Sequence, residues 1–429
     1  MYNIIKKSWL AVFVGLLTIG CSEEDTTVTP PRNQAPTIAF TFPKLAVARN
    51  SSVTLSVDVD DADGDPVQVT WDVTRWLLEA GDQGTPSMRC EAAATVGTDT
   101  VTVTATDGKG GVVTLTRTVD VASPTDDVTA NLTWSAGGSP YIVAPAGGIF
   151  AVNASATLTI DPGVNVYVEP NSEIQVSGRV DGNGMATAPI FIRPNMRTPE
   201  PGCWSGILTT PSAASVLEFD HTHISYAQNA LRSSISGSIL ATNCFITFCS
   251  EAAVLYESNG QLLVDSCTIT DNLKSGVRVS ESTIPPASIT IRGGDIGLNG
   301  RFKDSTLYTD GEAGISIDLN DPNGTVPIDI SGNEISRNDF PGIRLITAVF
   351  PLITGNGIFG NEFRLPDHIN IRLEPPFRGL ITTIDATNNY WGSNPADSVL
   401  IKEGIFDSED TGSVDVKVLV TPWLDSWPQ

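Results

Sequence analysis

The sequence predicts an all-β protein: an Ig-like β-sandwich over residues 36–122, followed by a parallel β-helix over residues 125–429. Two observations carry that expectation. Apolar and polar residues alternate at period two through the first unit, and the second unit repeats itself with a period near 23 residues. Composition agrees, because the 38 glycines and the Val-, Ile- and Thr-rich stretches favour strands and tight turns over helices.

The chain begins with a segment that is not part of either unit. Lys6 and Lys7 form a basic start, and residues 9–20 form an apolar run too short to stay in a bilayer as a spanning helix. That run ends in LTIGC at 17–21, so residues 1–20 read as a signal peptide. The motif resembles the lipobox of bacterial lipoproteins, with Thr18 where that family usually has Leu. The resemblance implies that Cys21 is acylated and becomes the mature N-terminus, fixed to the outer membrane or cell surface. More than one acyl chain is needed for a stable anchor, which lipoprotein acylation supplies. Residues 21–35 are acidic and then Thr/Pro-rich, a composition that cannot bury apolar surface and reads as a tether. The acidic run at 22–25 is similar to the export signal of surface-displayed lipoproteins.

The formal charge is −24, from 25 basic and 49 acidic residues. Phosphates would be repelled by such a surface, which excludes nucleic acid as a partner and favours divalent cations. Beyond Cys21 the cysteines are Cys90, Cys203, Cys244, Cys249 and Cys267, and none has the paired spacing of a zinc site.

In the first unit, residues 52–59 and 67–73 read as strands, and residues 100–106 and 112–119 as a hairpin around DGKGG. Short alternating strands over some ninety residues give an Ig-like sandwich. DADGDP at 61–66 with VTW at 69–71, and TATDG at 104–108, resemble the PKD and cadherin-like modules of bacterial surface proteins. Alternating carboxylates in a Gly-containing loop suit a hard cation, while Asp and Gly also favour plain solvated turns. In an Ig-like topology the two loops share one end of the sandwich, so Asp61, Asp63, Asp65 and Asp107 are expected to converge, with calcium as the candidate ligand.

The repeat of the second unit shows in one apolar column, Ile224, Ile246, Ile269, Ile296, Ile335, Ile358 and Trp391. SCTITDN at 266–272, GNEISRN at 332–338 and GNGIFGN at 355–361 overlie one another. Three residues after the column come Asn272, Asn299, Asn338, Asn361 and Asn394, with Ala227 and Cys249 as exceptions. About 23 residues per repeat, with three short strands in each, is the signature of a β-helix whose turns stack and share one core. Asn tolerates left-handed backbone and can bond the Asn above and below it, so the sequence predicts a buried amide ladder with left-handed or bridge conformation at Asn338. Cys244 and Cys267 fall at matching places, and read either as stacked core residues or as a disulfide between turns.

TLTIDPGV at 157–164, WSGI at 204–207 and NNYWGS at 388–393 resemble the pectate-lyase-like right-handed β-helix repeat proteins of envelope lipoproteins. The likeness runs over most of residues 134–423 and implies the fold, which hosts many functions. The polysaccharide-degrading hydrolases of this fold carry paired Asp residues, a Gly-His-Gly turn and an Arg-x-Lys, none of which is read in the coil, where Asp126 and Asp127 are expected in a linker before it begins; the lyases' Trp-x-Asp-His text is also missing. His221 and His223 flank Thr222 beside the column, and His368 falls at a strand start. An outward strip is expected from Arg278, Ser316, Arg344 and Asn370, with Asp318 and Arg372 two places further along their strands, beside inserted loops. Arg forks suit carboxylated sugars, and a mixed strip also suits an ordinary solvated sheet. The expectation is therefore an envelope lipoprotein whose coil is a rigid scaffold for glycans or surface proteins, with a polysaccharide lyase or hydrolase as the alternative.

Overall fold

A computed structural model describes residues 32–211, 215–280, 285–300, 312–319, 321, 325–346, 349–362, 369–374, 383–392, 401–402, 404–407, 417–424 and 426. Cys21, His368 and Asn394 lie outside the described residues. The sandwich comprises β1 (Thr37–Phe40), β2 (Ala46–Ala48), β3 (Ser52–Asp60), β4 (Gln68–Val73), β5 (Leu77–Leu78), β6 (Ser87–Glu91), β7 (Gly97–Thr106) and β8 (Val112–Pro124). One sheet runs β1-β3-β6-β5, and the other joins β4, β7 and β8 with β2 alongside β8. Period-two alternation has its expected cause: Val69, Trp71 and Val73 point inward onto Leu55, Val57 and Met88, while Gln68, Thr70 and Asp72 face water.

The coil is built from three parallel sheets visited in rotation, here called sheets I, II and III. Sheet I holds the predicted column: Ile192, Ile224, Ile246, Ile269, Ile296, Ile335 and Ile358 are in register through successive turns. Sheet II carries Val254, Val277, Ile315, Ile343 and Ile371 in the same way. Sheet III runs from Leu132–Trp134 to Leu352–Thr354. One continuous core extends from Val128 to Val420, floored by Trp134, whose ring stacks 5.0 Å from that of Tyr141. Trp391 is buried over Ile358, and Lys417–Leu419 pairs with Thr383–Asp385 at the far end.

The amide ladder is present and fully bonded. Asn272 Nδ2 donates to Asn299 Oδ1 (2.8 Å), Asn299 to Asn338 (3.0 Å), Asn338 to Asn361 (2.9 Å), and Asn361 to Asn370 (3.0 Å). The second amide proton goes to a carbonyl one turn back, as from Asn338 to Ile296 at 2.9 Å. The left-handed residue is the one before each ladder Asn, so Asn338 itself is not left-handed. Asp271, Leu298 and Arg337 have φ of 59, 58 and 57°, and the Asn that follows turns its amide inward. A second ladder, unanticipated from sequence, links Asn333, Asn356 and Asn389 at 3.0 Å each. Cys244 and Cys267 occupy that ladder's positions in earlier turns and are free thiols, as are all five described cysteines.

Sandwich and coil are not separated by a linker. β8 crosses the expected boundary and pairs with the first coil strand of sheet I, Ser123 to Tyr141 and Pro124 to Ile142, so β4, β7 and β8 continue sheet I without a break. Asp127 already bonds the Ala151 N–H, inside the first turn of the coil. Asn195 clamps the joint: its Oδ1 accepts the N–H groups of Leu45 (3.0 Å) and Ala46 (2.7 Å), and its Nδ2 donates to Ala46 O and Glu169. Lys44 pairs with Glu169 at 3.0 Å, Tyr167 donates to Asp120 at 2.6 Å, and Ala46, Ala122, Ile142 and Tyr167 form a small core of their own. Buried donors and acceptors satisfied across a joint are costly to separate, so the joint is stiff.

Candidate functional site

The acidic loop at the sandwich tip is organised by its own backbone. Asp61 Oδ1 accepts the N–H groups of Asp63 (2.9 Å) and Asp65 (3.1 Å), and this gathers the three carboxylates within 4.8 Å of one another. Asp107 does not join them, which corrects the expected four-residue set. Its carboxylate is spent on Asn33 Nδ2 and on the N–H groups of Lys109 and Gly111, and the Asn33 bond leads in holding it below the usual carboxylate range. The hairpin loop delivers Lys109 instead, with Nζ 2.5 Å from Asp65 Oδ1. The loops do meet, but across an ion pair. Asp61 Oδ2 and Asp65 Oδ2 are buried without a hydrogen bond among the described residues. Gln34 N–H donates to Asp63 at 2.6 Å, which ties the segment just before β1 to this tip.

On sheet II the expected strip changes register. Arg278, Ser316, Arg344 and Arg372 form one column, and Asn370 lies two residues outside it, at the end of the amide ladder. Asp318 belongs to a neighbouring column with Ile346 and Glu374. The last turn differs by two residues because Asn370, not His368, stands where Gly342 does in the turn before. Each guanidinium already has a carboxylate: Arg278 with Glu312 (3.3 Å), Arg344 with Glu374, and Arg372 with Glu362 (2.9 Å). Arg344 is buried, and so are Glu312 and Glu362. Taking charge from water is repaid only by such pairing, and a sugar carboxylate could enter only by displacing an internal one. The strip is a structural ion-pair ladder, with no open Arg fork among its described members.

Sheet I carries features that sequence reasoning passed over. Its outward column reads Phe191, His223, Phe245, Thr268, Asp295, Glu334. The rings of Phe191, His223 and Phe245 follow one another in tilted contacts at 4.7 and 5.3 Å, and beside them Tyr226 and Phe248 stack at 4.9 Å. Burial lowers the His223 pKa, as expected for an imidazole between two rings. Between the columns run small buried residues, Thr247, Thr270, Gly297 and Ser336, so the face has a trough. Further along, burial first and the Glu334 charge second raise the Asp295 pKa above the ordinary carboxylate range. The sequence signal for this face is an aromatic or His one residue before each of Ile192, Ile224 and Ile246. His221 and His223 both lie outward of buried Thr222.

Comparison with known families agrees with this architecture. The family model described as "Right handed beta helix region" matches residues 200–363, and that described as "Bacterial Ig domain" matches residues 33–122. No curated protein and no solved structure matches the chain.

Proposed function

This right-handed β-helix with an N-terminal Ig-like module is, we propose, a cell-envelope lipoprotein anchored through Cys21, in which sandwich and coil form one stiff rod holding a binding face away from the membrane for a glycan or another surface protein. One observation carries the reading. Residues 33 and 34 bond Asp107 and Asp63 at the tip where β8 begins, and the 13-residue β8 ends inside the coil's own sheet. A tether arriving at that tip leaves the coil pointing outward. A jointed, independently moving pair of domains would suit a searching or clamping protein, whereas a continuous sheet suits display. Radiolabelled palmitate should enter the wild-type protein, and Cys21→Ala should release it from the membrane fraction, since acylation supplies the strong membrane affinity. Absence of label, or an unchanged membrane fraction in the variant, overturns the anchor.

The tip supports calcium in a narrowed form. Asp61, Asp63 and Asp65 would supply the oxygens, with the two unbonded Oδ2 atoms as the first donors, and Lys109 would give way to the ion.

A further inference from the structure

The two rows of rings on sheet I both stop at the same turn of the coil. Phe245 and Phe248 end them, 39% and 38% exposed, and the next turn offers only Thr268 and Asp271 at the matching positions. The last face of each ring therefore has no aromatic neighbour among the described residues. One turn beyond Thr268 stands Asp295, about 10 Å from Phe245 at two strand spacings. Glu334 is directly over it in the following turn. Asp295 Oδ1 is buried without a hydrogen-bond partner among the described residues, and Arg337, whose charge also acts on Asp295, pairs with Glu334 at 3.9 Å from a largely exposed side chain. Two stacked carboxylates thus face a pair of open ring faces across a floor of Thr268 and Thr270.

From this arrangement we infer that the trough on sheet I is a docking site for an arginine-bearing segment of a protein partner. Charge complementarity selects the occupant. A guanidinium is planar, lies on an aromatic face through the ring quadrupole, and at the same time donates in a fork to a carboxylate. A neutral sugar could stack on Phe245 but would bring no charge to Asp295 and Glu334, which share one largely exposed guanidinium, that of Arg337. A uronate or phosphate chain would add a third negative charge to them, on a protein already at −24. An ammonium satisfies the carboxylates but has no flat surface for the rings, so arginine fits better than lysine. This deepens the proposed binding role by naming the face and the partner chemistry, and it rests on that role, while the palmitate experiment judges the anchor independently.

The test uses the full chain carrying Cys21→Ala, titrated at physiological ionic strength with a capped octapeptide of alternating Arg and Gly. The same peptide with citrulline for arginine keeps the shape and removes the charge. Phe245→Ala/Phe248→Ala and Asp295→Asn/Glu334→Gln should each weaken binding at least tenfold, and citrulline should do the same. Asp58→Asn, an exposed acid on the sandwich, should change affinity less than twofold. All these positions face outward, and Phe245→Tyr, which keeps a ring, should retain binding, so loss of affinity is separable from loss of fold. Equal affinity across the variants would mean general attraction to an acidic protein and would overturn the site. So would an absence of binding, or capture of a neutral β-glucan oligosaccharide that the Phe pair governs while the peptide ignores it.

Discussion

Replacing Asn338 with Leu should destabilise the coil by about 3–9 kcal/mol, because the side chain closes four hydrogen bonds at a fully buried position. Its Oδ1 accepts from Asn299 Nδ2 (3.0 Å) and from the Asn299 N–H (3.1 Å). Its Nδ2 donates to Ile296 O and Asn361 Oδ1, both at 2.9 Å. Leu would leave the two Asn299 donors and the Ile296 carbonyl unmet, each at about 1–3 kcal/mol, while Asn361 Oδ1 would keep the Asn338 backbone N–H at 3.2 Å. The neighbouring residue supplies the control. Arg337 is exposed and left-handed, a conformation that Leu298 adopts one turn earlier. Arg337→Leu should therefore change stability by no more than about 0.5 kcal/mol. Urea denaturation followed by circular dichroism compares the two. Equal midpoints for Asn338→Leu and the wild type would refute the ladder as a stabilising device, and a large loss at Arg337→Leu would refute the assigned turn.

Two further outcomes follow from charges on the surface. Asp295 has a raised pKa, so its ionised form is disfavoured by folding; its contribution is favourable at low pH and is lost as pH rises through the folded-state value. Asp295→Asn should accordingly raise the denaturation midpoint at pH 7, with the gain vanishing in acid, and a gain that persists below pH 3 would contradict the assignment. At the sandwich tip, millimolar calcium should raise the melting temperature, Asp65→Asn should abolish the rise, and Asp107→Asn should leave the calcium increment intact. An identical transition with calcium and with chelator would leave Lys109 as the loop's only cation.

Much of the fold was legible because it rests on periodicities that inward side chains enforce. The Ile224-to-Ile358 column and the alternation of β3, β4, β7 and β8 leave no choice of face, since a one-residue slip would turn the core outward. The Asn272-to-Asn361 ladder was readable for the same reason. The second ladder, Asn333 to Asn389, was not, because Cys244, Cys267 and Gly294 fill its earlier positions. Outward residues carry no such constraint. Arg372 therefore falls out of column in the sequence pattern, and the Phe191–His223–Phe245 row shows only in the strand register. The joint was illegible because it depends on Asn195 meeting Leu45 and Ala46 from 150 and 149 residues away. The convergence of Asp107 failed for a local reason: a carboxylate at a hairpin turn is used first by the turn's own N–H groups.

The claim on which the account turns is that sandwich and coil are one rigid body. Nitroxide labels at Asp72→Cys on β4 and Gln261→Cys on sheet III, in a background with half-buried Cys203 replaced by Ser, place one probe on each side of the joint at exposed positions. Pulsed dipolar spectroscopy should give a single narrow distance distribution, and Asn195→Ala should broaden it by removing the clamp on Leu45 and Ala46. A broad or multimodal distribution in the otherwise native chain would mean that the joint bends, and the rod would fail with it.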